Sequence, residues 1–165
     1  MTFNVNNLGH CFQQIKIIRA IPSQSEILTQ ITFAAKRHWG YPERWIQIWS
    51  NILTVSTEFI EENETYVAQV RDEPVGFYAI SIEENKASLE HMWVLSEYMG
   101  QGIGAKLFDH ALSRCKELGV RALEIESDPN AQGFYEHMGA KRVGQSASEL
   151  DGQTRILPIL EINLT

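Results

Sequence analysis

Residues 89–119, LEHMWVLSEYMGQGIGAKLFDHALSRCKELG, decide how the rest of the chain is arranged. The stretch begins in a predicted strand, passes through a glycine-rich turn and ends in an amphipathic helix that Gly119 terminates. The turn contains Gly100, Gly102 and Gly104, which let a ligand approach the backbone closely. Because the first turn of a helix leaves amides unpaired, the junction predicts a site for an anion.

The predicted strand before this turn, residues 87–95, departs from strict alternation. Leu89 has the opposite parity to both Met92 and Val94, so a regular strand cannot place all three side chains in the core. A β-bulge near His91 would return them to one face. Because bulges leave backbone groups unpaired and often lie beside active sites, this strand is predicted to face the site.

On both sides of this stretch, hydrophobic periodicity predicts further strands and helices. Besides residues 87–95, strands are predicted at residues 15–21, 66–70, 75–82, 120–126, 141–146 and 155–162. Helices are predicted from a capping box at Ser23 and Glu26, from Pro42, after the glycine-rich turn and over residues 130–138, with a short turn through Phe59. A right-handed crossover makes the strands before and after the central helix parallel.

The fold class that these elements predict is mixed α/β (α+β). We expect about seven strands in a mixed, largely antiparallel sheet, about four helices, and one parallel pair that separates at its carboxyl ends to form a cleft. No linker, repeat or low-complexity tract interrupts the chain. Residues 1–165 are therefore predicted to be a single domain, with residues 15–62 and 65–164 as its two parts.

The composition is that of an ordinary globular protein, with 44% apolar and 21% charged residues. A net charge of −7 argues against a nucleic-acid partner, which needs clustered cations. Residues 1–7 lack a basic and apolar leader and no long apolar run follows, so we expect a cytoplasmic protein without a membrane partner. Cys11 and Cys115 are far apart, and Cys115 lies on an apolar helix face, which favours a buried free thiol.

The glycine-rich turn alone also satisfies the dinucleotide fingerprint, through Gly100-x-Gly102-x-x-Ala105. That fingerprint follows its strand directly, whereas four residues separate Leu95 from Gly100 here, and antiparallel strands precede the turn. A dinucleotide-binding oxidoreductase is therefore the less favoured interpretation.

Two motifs resemble those of a known family. Residues 94–104, VLSEYMGQGIG, are similar to the acetyl-CoA signature of the GNAT superfamily of N-acyltransferases, and residues 128–140, DPNAQGFYEHMGA, are similar to its second signature. The resemblance covers residues 65–164 and implies the GNAT fold, acetyl-CoA as cosubstrate and an amine of a small molecule or peptide as acceptor. Met99 and Asp128 depart from the family, which usually has Gln or Arg at the first position and often has Asn at the second.

The resemblance also implies which residues bind the coenzyme. The pyrophosphate would lie on the amides of residues 101–105, where the helix dipole contributes roughly 0.3–1 kcal/mol, and the pantetheine arm would lie along the free edge of the bulged strand. Either Asp128 or Asn130 would contact that arm. The full predicted set is Met92, Trp93, Val94, Met99, Gly100, Gln101, Gly102, Ile103, Gly104, Ala105, Asp128, Asn130 and Phe134.

Transfer to an amine requires two proton movements, and the resemblance implies a residue for each. Deprotonating an ordinary alkylamine of pKa near 10.4 costs about 4.6 kcal/mol at pH 7, so a base is useful. Glu90 is the predicted base, acting directly or through water, and Tyr135 is the predicted acid for the leaving thiolate. Neither a metal site nor a covalent intermediate is predicted.

The acceptor pocket is expected to come from the N-terminal part, residues 15–62. Trp39, Tyr41 and Trp45 are predicted to wall it, because aromatic faces attract cationic amines. Small polyamines, amino acids, aminoglycosides and protein N-termini all remain candidate acceptors, and the resemblance leaves a homodimer open. A non-catalytic acyl-CoA sensor is the alternative function from another class.

Overall fold

The computed structural model describes residues 14–165, so Cys11 lies outside the described residues. The strands are β1 Ile15–Arg19, β2 Glu64–Val70, β3 Glu73–Glu83, β4 Lys86–Val94, β5 Ala122–Glu126, β6 Lys141–Leu150 and β7 Gln153–Asn163. The helices are α1 Ser25–His38, α2 Glu43–Ile48, α3 Ser50–Leu53, α4 Thr57–Glu62, α5 Ile103–Glu117 and α6 Gln132–His137. Within residues 14–165, none of these helices is long and apolar enough to cross a membrane.

All seven strands belong to one sheet, in the order β1-β2-β3-β4-β5-β7-β6. Every neighbouring pair is antiparallel except β4 and β5, which are parallel. The mixed, largely antiparallel sheet predicted from the sequence is therefore confirmed.

The parallel pair is very short. In β4 only Lys86–Ser88 pair with β5, and their partners are Ala122–Glu124. Beyond these residues the two strands separate. β4 stays paired with β3 along its other edge, and β5 stays paired with β7. A cleft therefore opens between two strands that are each held from the far side.

The predicted bulge is present in β4. His91 lies opposite Ala79 and Leu89 lies opposite Ile80, which leaves Glu90 as the extra residue. The bulge restores the alternation that the sequence breaks, because Leu89, Met92 and Val94 all pack against the same core cluster.

Helices cover both faces of the sheet. On one face, Leu107 and Phe108 of α5 pack with Tyr78 and Leu123 in a core where these four side chains are fully buried. On the other face, α1 and α4 pack over a second core that includes Phe77. Because Phe77 and Tyr78 are adjacent in β3 and point to opposite faces, this strand is buried on both sides.

The helix boundaries differ from the predicted ones at the N-terminal part. α1 begins at Ser25, because residues 22–24 form a 3₁₀ turn in which Gln24 Oε1 accepts a hydrogen bond from the Ile21 amide at 3.0 Å. The predicted helix after Pro42 is divided at Trp49 into α2 and α3. The predicted short turn through Phe59 is α4, so the described residues contain six helices where about four were expected.

Gly76 allows β3 to approach the site strand closely. It lies opposite Val94, and a Cβ atom at this position would stand 2.6 Å from the Trp93 carbonyl oxygen. We expect Gly76→Ala to lower the free energy of unfolding by about 2 kcal/mol, because the clash is with backbone and not with a flexible side chain. Equilibrium urea unfolding measures the change.

Gly144→Ala is the matched control, since Gly144 also lies in a strand and has open space around its Cβ position. It should change the free energy of unfolding by about 0.5 kcal/mol or less. Equal stabilities of the two variants would contradict the role assigned to Gly76.

Candidate active site

A cleft of about 450 Å³ lies between the separated ends of β4 and β5 and the N-terminus of α5. Most of the predicted site residues line it: Trp39, Glu90, Met92, Trp93, Val94, Met99, Gly100, Gly102, Ile103, Gly104, Ala105, Asp128, Asn130, Phe134 and Tyr135. The structure thus brings the two sequence motifs and the bulged strand to one site. Gln101, Tyr41 and Trp45 are the predicted residues that do not line the cleft.

The glycine-rich turn presents backbone amides to the cleft. Gly100 and Gly102 have φ values of +76° and +81°, which L-residues rarely adopt, and Gly102 is the N-cap of α5. The first intrahelical bond runs from the Lys106 amide to the Gly102 carbonyl oxygen at 3.1 Å. The amides of the residues between them, 103–105, are therefore available to an anion.

The side chains of Met99, just before the turn, and of Gln101, within it, bring no charge to the cleft. Met99 is 36% exposed at the rim of the cleft. The Gln101 side-chain amide donates a hydrogen bond to the Glu97 carbonyl oxygen at 3.3 Å, so it turns back on the chain. An anion bound at this turn would therefore be held by backbone dipoles and not by the side chains of Met99 and Gln101.

Tyr135 lies on α6 at the inner wall of the cleft. Its ring is 6% exposed and packs against Phe134 and Phe108, with ring centroids at 5.2 and 5.5 Å. Within residues 14–165 its hydroxyl has no hydrogen-bond partner, yet no fully buried side-chain N or O atom there is unsatisfied. Tyr135 is one of the residues that line the cleft. Burial raises the pKa of Tyr135 above its ordinary value, so the phenol stays protonated at physiological pH.

Two exposed carboxylates stand at the mouth of the cleft. Glu90, at the bulge, accepts a hydrogen bond from Ser81 Oγ at 2.6 Å. Glu126, the last residue of β5, lies across from it on the other separated strand. Glu126 lines the cleft but was not predicted as a site residue, although its position at the end of a strand just before the second motif was a usable signal.

His91 was not predicted as a site residue, but it lines the cleft from the bulged strand. It is 7% exposed, with Phe59 and Phe77 against its ring. Trp93 Nε1 donates a hydrogen bond to His91 Nδ1 at 2.9 Å, so the remaining ring proton lies on Nε2. Burial lowers the pKa of His91 to about 4, and the ring is neutral at physiological pH.

Asp128 is surrounded by donors that we call the Asp128 cluster: Lys36, Tyr41, Asn130 and Arg155. Lys36 Nζ lies 2.8 Å from its carboxylate, the Tyr41 hydroxyl 2.9 Å and Arg155 Nη2 3.3 Å. The Asn130 amide donates to the same group at 2.9 Å. These contacts hold the pKa of Asp128 below its ordinary value although burial opposes this, so the group is charged.

Tyr41 and Trp45 stack on each other beside this cluster, with ring centroids 5.9 Å apart. Trp45 Nε1 donates a hydrogen bond to Asp151 at 3.2 Å, and Arg44 forms an ion pair with the same carboxylate. These contacts dock α2 on the tip of the β6–β7 hairpin. Of the three aromatic residues predicted to wall the acceptor pocket, Trp39 is the one that lines the cleft, and it is 43% exposed.

Comparison with protein families gives a match over more than half of the chain. The model of the acetyltransferase (GNAT) domain matches residues 28–153. The chain belongs to the GNAT acetyltransferase family. This membership confirms the resemblance of the two motifs and identifies the chain as an N-acetyltransferase, and it does not favour an oxidoreductase or a non-catalytic sensor.

Similar GNAT proteins include two bacterial enzymes. The peptidyl-lysine N-acetyltransferase YjaB of Salmonella typhimurium is 33% identical over 64% of this chain and 68% of its own length. Its Escherichia coli counterpart is 32% identical over 63% of this chain and 66% of its own length. The PaiA N-acetyltransferase of Thermoplasma acidophilum, solved in complex with coenzyme A, has the same fold, with a TM-score of 0.74 at 22% identity over 91% of this chain and 99% of that one.

The buried neutral His91 makes the stability of this GNAT domain depend on pH. An unfolded histidine has a pKa near 6.5, so between about pH 6.5 and 4 the unfolded state binds the proton more readily than the folded state. Stability should therefore fall as pH is lowered through this window, by up to about 3 kcal/mol from this residue. Urea unfolding at a series of pH values measures the loss.

His91→Gln is the comparison, because it removes the titratable group at similar size. The variant should lose less stability than the wild type over the same pH window. Identical pH dependence in both proteins would show that His91 is not the group responsible.

Proposed function

We propose that this GNAT acetyltransferase binds acetyl-CoA and a primary amine together in the cleft and transfers the acetyl group directly, through a ternary complex. The main observation that supports this proposal is that the cleft is continuous. It runs from the free amides at the start of α5, along the unpaired edge of β4, to Tyr135.

The backbone around the cleft fits coenzyme A. Its pyrophosphate would accept hydrogen bonds from the amides of residues 101–105, where no Cβ atom blocks the approach at Gly102 or Gly104. Its pantetheine amides would pair with the free edge of β4 around Met92, Trp93 and Val94, as an added strand does. The similarly folded Thermoplasma protein was solved in complex with coenzyme A, which supports coenzyme binding by this fold.

Tyr135 is proposed as the acid that protonates the leaving thiolate. The residue lines the cleft, and its phenol keeps its proton at physiological pH, so it could donate a hydrogen bond to the sulfur as negative charge develops there. A free amide on the β4 edge would donate to the thioester carbonyl oxygen in the same step.

Glu90 is proposed as the base that receives the proton of the amine, directly or through water. It is a carboxylate at the bulge and faces the mouth of the cleft, where an incoming acceptor must pass. Glu126 and Trp39 line the same mouth. Together they form a surface that attracts a cationic amine by charge and by the face of an indole ring.

The acceptor that we propose is the side-chain amine of a lysine in a peptide or protein. The two YjaB relatives are peptidyl-lysine N-acetyltransferases, and the acidic mouth suits a protonated amine on a flexible stem. Residues 15–62 would contribute the acceptor side of this catalytic unit, and residues 65–164 its coenzyme side.

The test is acetyl transfer to a lysine peptide. With acetyl-CoA and a short peptide containing one lysine, the protein should release free thiol and add 42 Da to the peptide, the mass of one acetyl group in place of a proton. The same peptide with its lysine already acetylated should give no turnover. Mass spectrometry of the peptide and a thiol assay measure the two products.

A panel of polyamines, amino acids and peptides with a free N-terminus should be tested in parallel. Faster turnover of one of these than of the lysine peptide would reject the proposed acceptor but keep the reaction. Coenzyme binding by calorimetry without turnover of any amine would reject the reaction and indicate an acyl-CoA sensor.

Tyr135→Phe should lower kcat by about 10², the usual contribution of a positioned acid, with little change in the affinity for acetyl-CoA. The ring still packs against Phe134 and Phe108, so the fold should be kept. Steady-state kinetics and calorimetric titration with coenzyme A measure the two quantities. Unchanged kcat would remove Tyr135 from the mechanism.

A further inference from the structure

We propose that Asp128 is a positioning residue that fixes the acceptor wall at Trp39 and the helix carrying Tyr135 relative to each other. This inference rests on the functions proposed above for Trp39 and Tyr135. From the sequence alone, contact with the pantetheine arm is open between Asp128 and Asn130, and the role inferred here for Asp128 is a different one.

The carboxylate of Asp128 is already occupied by donors from the protein. Oδ1 accepts one hydrogen bond from the backbone amide of Asn130 at 2.9 Å and one from the side-chain Nδ2 of the same residue at 3.0 Å. Oδ2 accepts from Lys36 at 2.8 Å, from Tyr41 at 2.9 Å and from Arg155 at 3.3 Å. Because a carboxylate offers about four lone-pair sites, little capacity is left for a ligand.

The donors come from segments that are distant in the sequence. Lys36 lies 92 residues before Asp128 and Tyr41 lies 87 residues before it, whereas Arg155 lies 27 residues after it on β7. Lys36 is one helical turn before Trp39, so fixing Lys36 fixes the end of α1 that faces the cleft. The carboxylate is thus the point at which the N-terminal part is joined to the coenzyme side.

On its other side, Asp128 organises the chain that leads to Tyr135. It caps the 3₁₀ turn Pro129–Ala131 through its bond to the Asn130 amide, and this turn runs directly into α6. A shift of the carboxylate would therefore move the start of the short helix that holds the proposed acid.

The cluster depends on the negative charge of Asp128 because it contains two enclosed cations. Lys36 is 7% exposed, and its Nζ lies over the rings of Trp49 and Tyr41, at 4.2 and 4.7 Å from their centroids. The Arg155 guanidinium lies over the same Trp49 ring at 4.9 Å. Burial lowers the pKa of Lys36, and the adjacent carboxylate opposes this. Without that charge, two cations would share one aromatic ring with no counter-ion.

The deciding variant is Asp128→Asn, which keeps the shape and the bond to the Asn130 amide but removes the charge. We expect the acceptor KM to rise about tenfold and kcat to fall about tenfold, because small misplacements of reacting groups are costly. The KM for acetyl-CoA should stay within about twofold, since the amides at the start of α5 are not touched. Steady-state kinetics with each substrate varied in turn measure this split.

Glu64→Gln is the matched control. Glu64 is also a carboxylate between two cations, Arg19 and Arg114, and its side chain is 18% exposed, as is that of Asp128. It lies on β2, outside the residues that line the cleft. This variant should lose stability in urea unfolding while its kcat and both KM values stay unchanged.

Hydrogen exchange provides a readout that does not need turnover. Asp128→Asn should speed amide exchange both at residues 36–41 and at residues 129–137, and Glu64→Gln should leave both segments unchanged. If the wild type proves inactive with every amine, the proposed function fails, but this experiment still decides whether Asp128 joins the two segments.

Two results would overturn the inference. Lower stability of Asp128→Asn with unchanged kinetics would reduce Asp128 to a structural ion pair. A lower acetyl-CoA KM with unchanged acceptor KM would mean that this position contacts the coenzyme, as an Asn would.

If Asp128→Asn does not fold, Tyr41→Phe provides the milder test, because it removes the hydroxyl that bonds to both Asp128 and Arg155. It should raise the acceptor KM in the same direction, and an unchanged acceptor KM would overturn the inference.

Discussion

The short parallel ladder between β4 and β5 is the constraint on which the rest of the site depends. Only three residues of each strand pair before the strands separate. Backbone groups that lose a partner inside a protein must find another, in water or in a ligand. Since β3 and β7 hold the two strands from outside, the gap cannot close by collapse, and its free edge remains ordered and available.

Two local irregularities in the β3–β4 pair adapt this edge to its task. The extra residue at the bulge is Glu90, which lines the cleft, and its insertion returns Leu89 and Met92 to the core. Gly76 permits the close approach of β3 to the backbone at Trp93. The edge of β4 that faces β3 is thus fixed by pairing and packing, and the edge that faces β5 is free to bind a ligand.

Local patterns were sufficient for much of this architecture. The seven strands of residues 14–165, the bulge and the end of α5 just before Gly119 followed from alternation, parity and glycine chemistry, because these depend on neighbours in the sequence. The division of the second helix at Trp49 and the 3₁₀ start of α1 did not, since they depend on competing local hydrogen bonds and on tertiary packing.

The site shows the same division between local and distant information. Residues of the two motifs line the same cleft, and the sequence could group them because each motif is one continuous segment. The Asp128 cluster could not be predicted, because it joins residues up to 92 positions apart. Aromatic composition drew attention to Tyr41 and Trp45, but it carries no information on which face they present, and their polar atoms bond to Asp128 and Asp151 and not to the cleft.

The proposed phosphate site is made of backbone dipoles, and this has a consequence for an enzyme that modifies amines. Among the residues of the described chain that line the cleft, none is a lysine or an arginine. The proposed phosphate site therefore contains no amine that acetylation could neutralise. Its backbone amides do not titrate near neutral pH. Such a catalyst would be protected from inactivation by its own chemistry, and its coenzyme site could change side chains freely as long as the path of the backbone is kept.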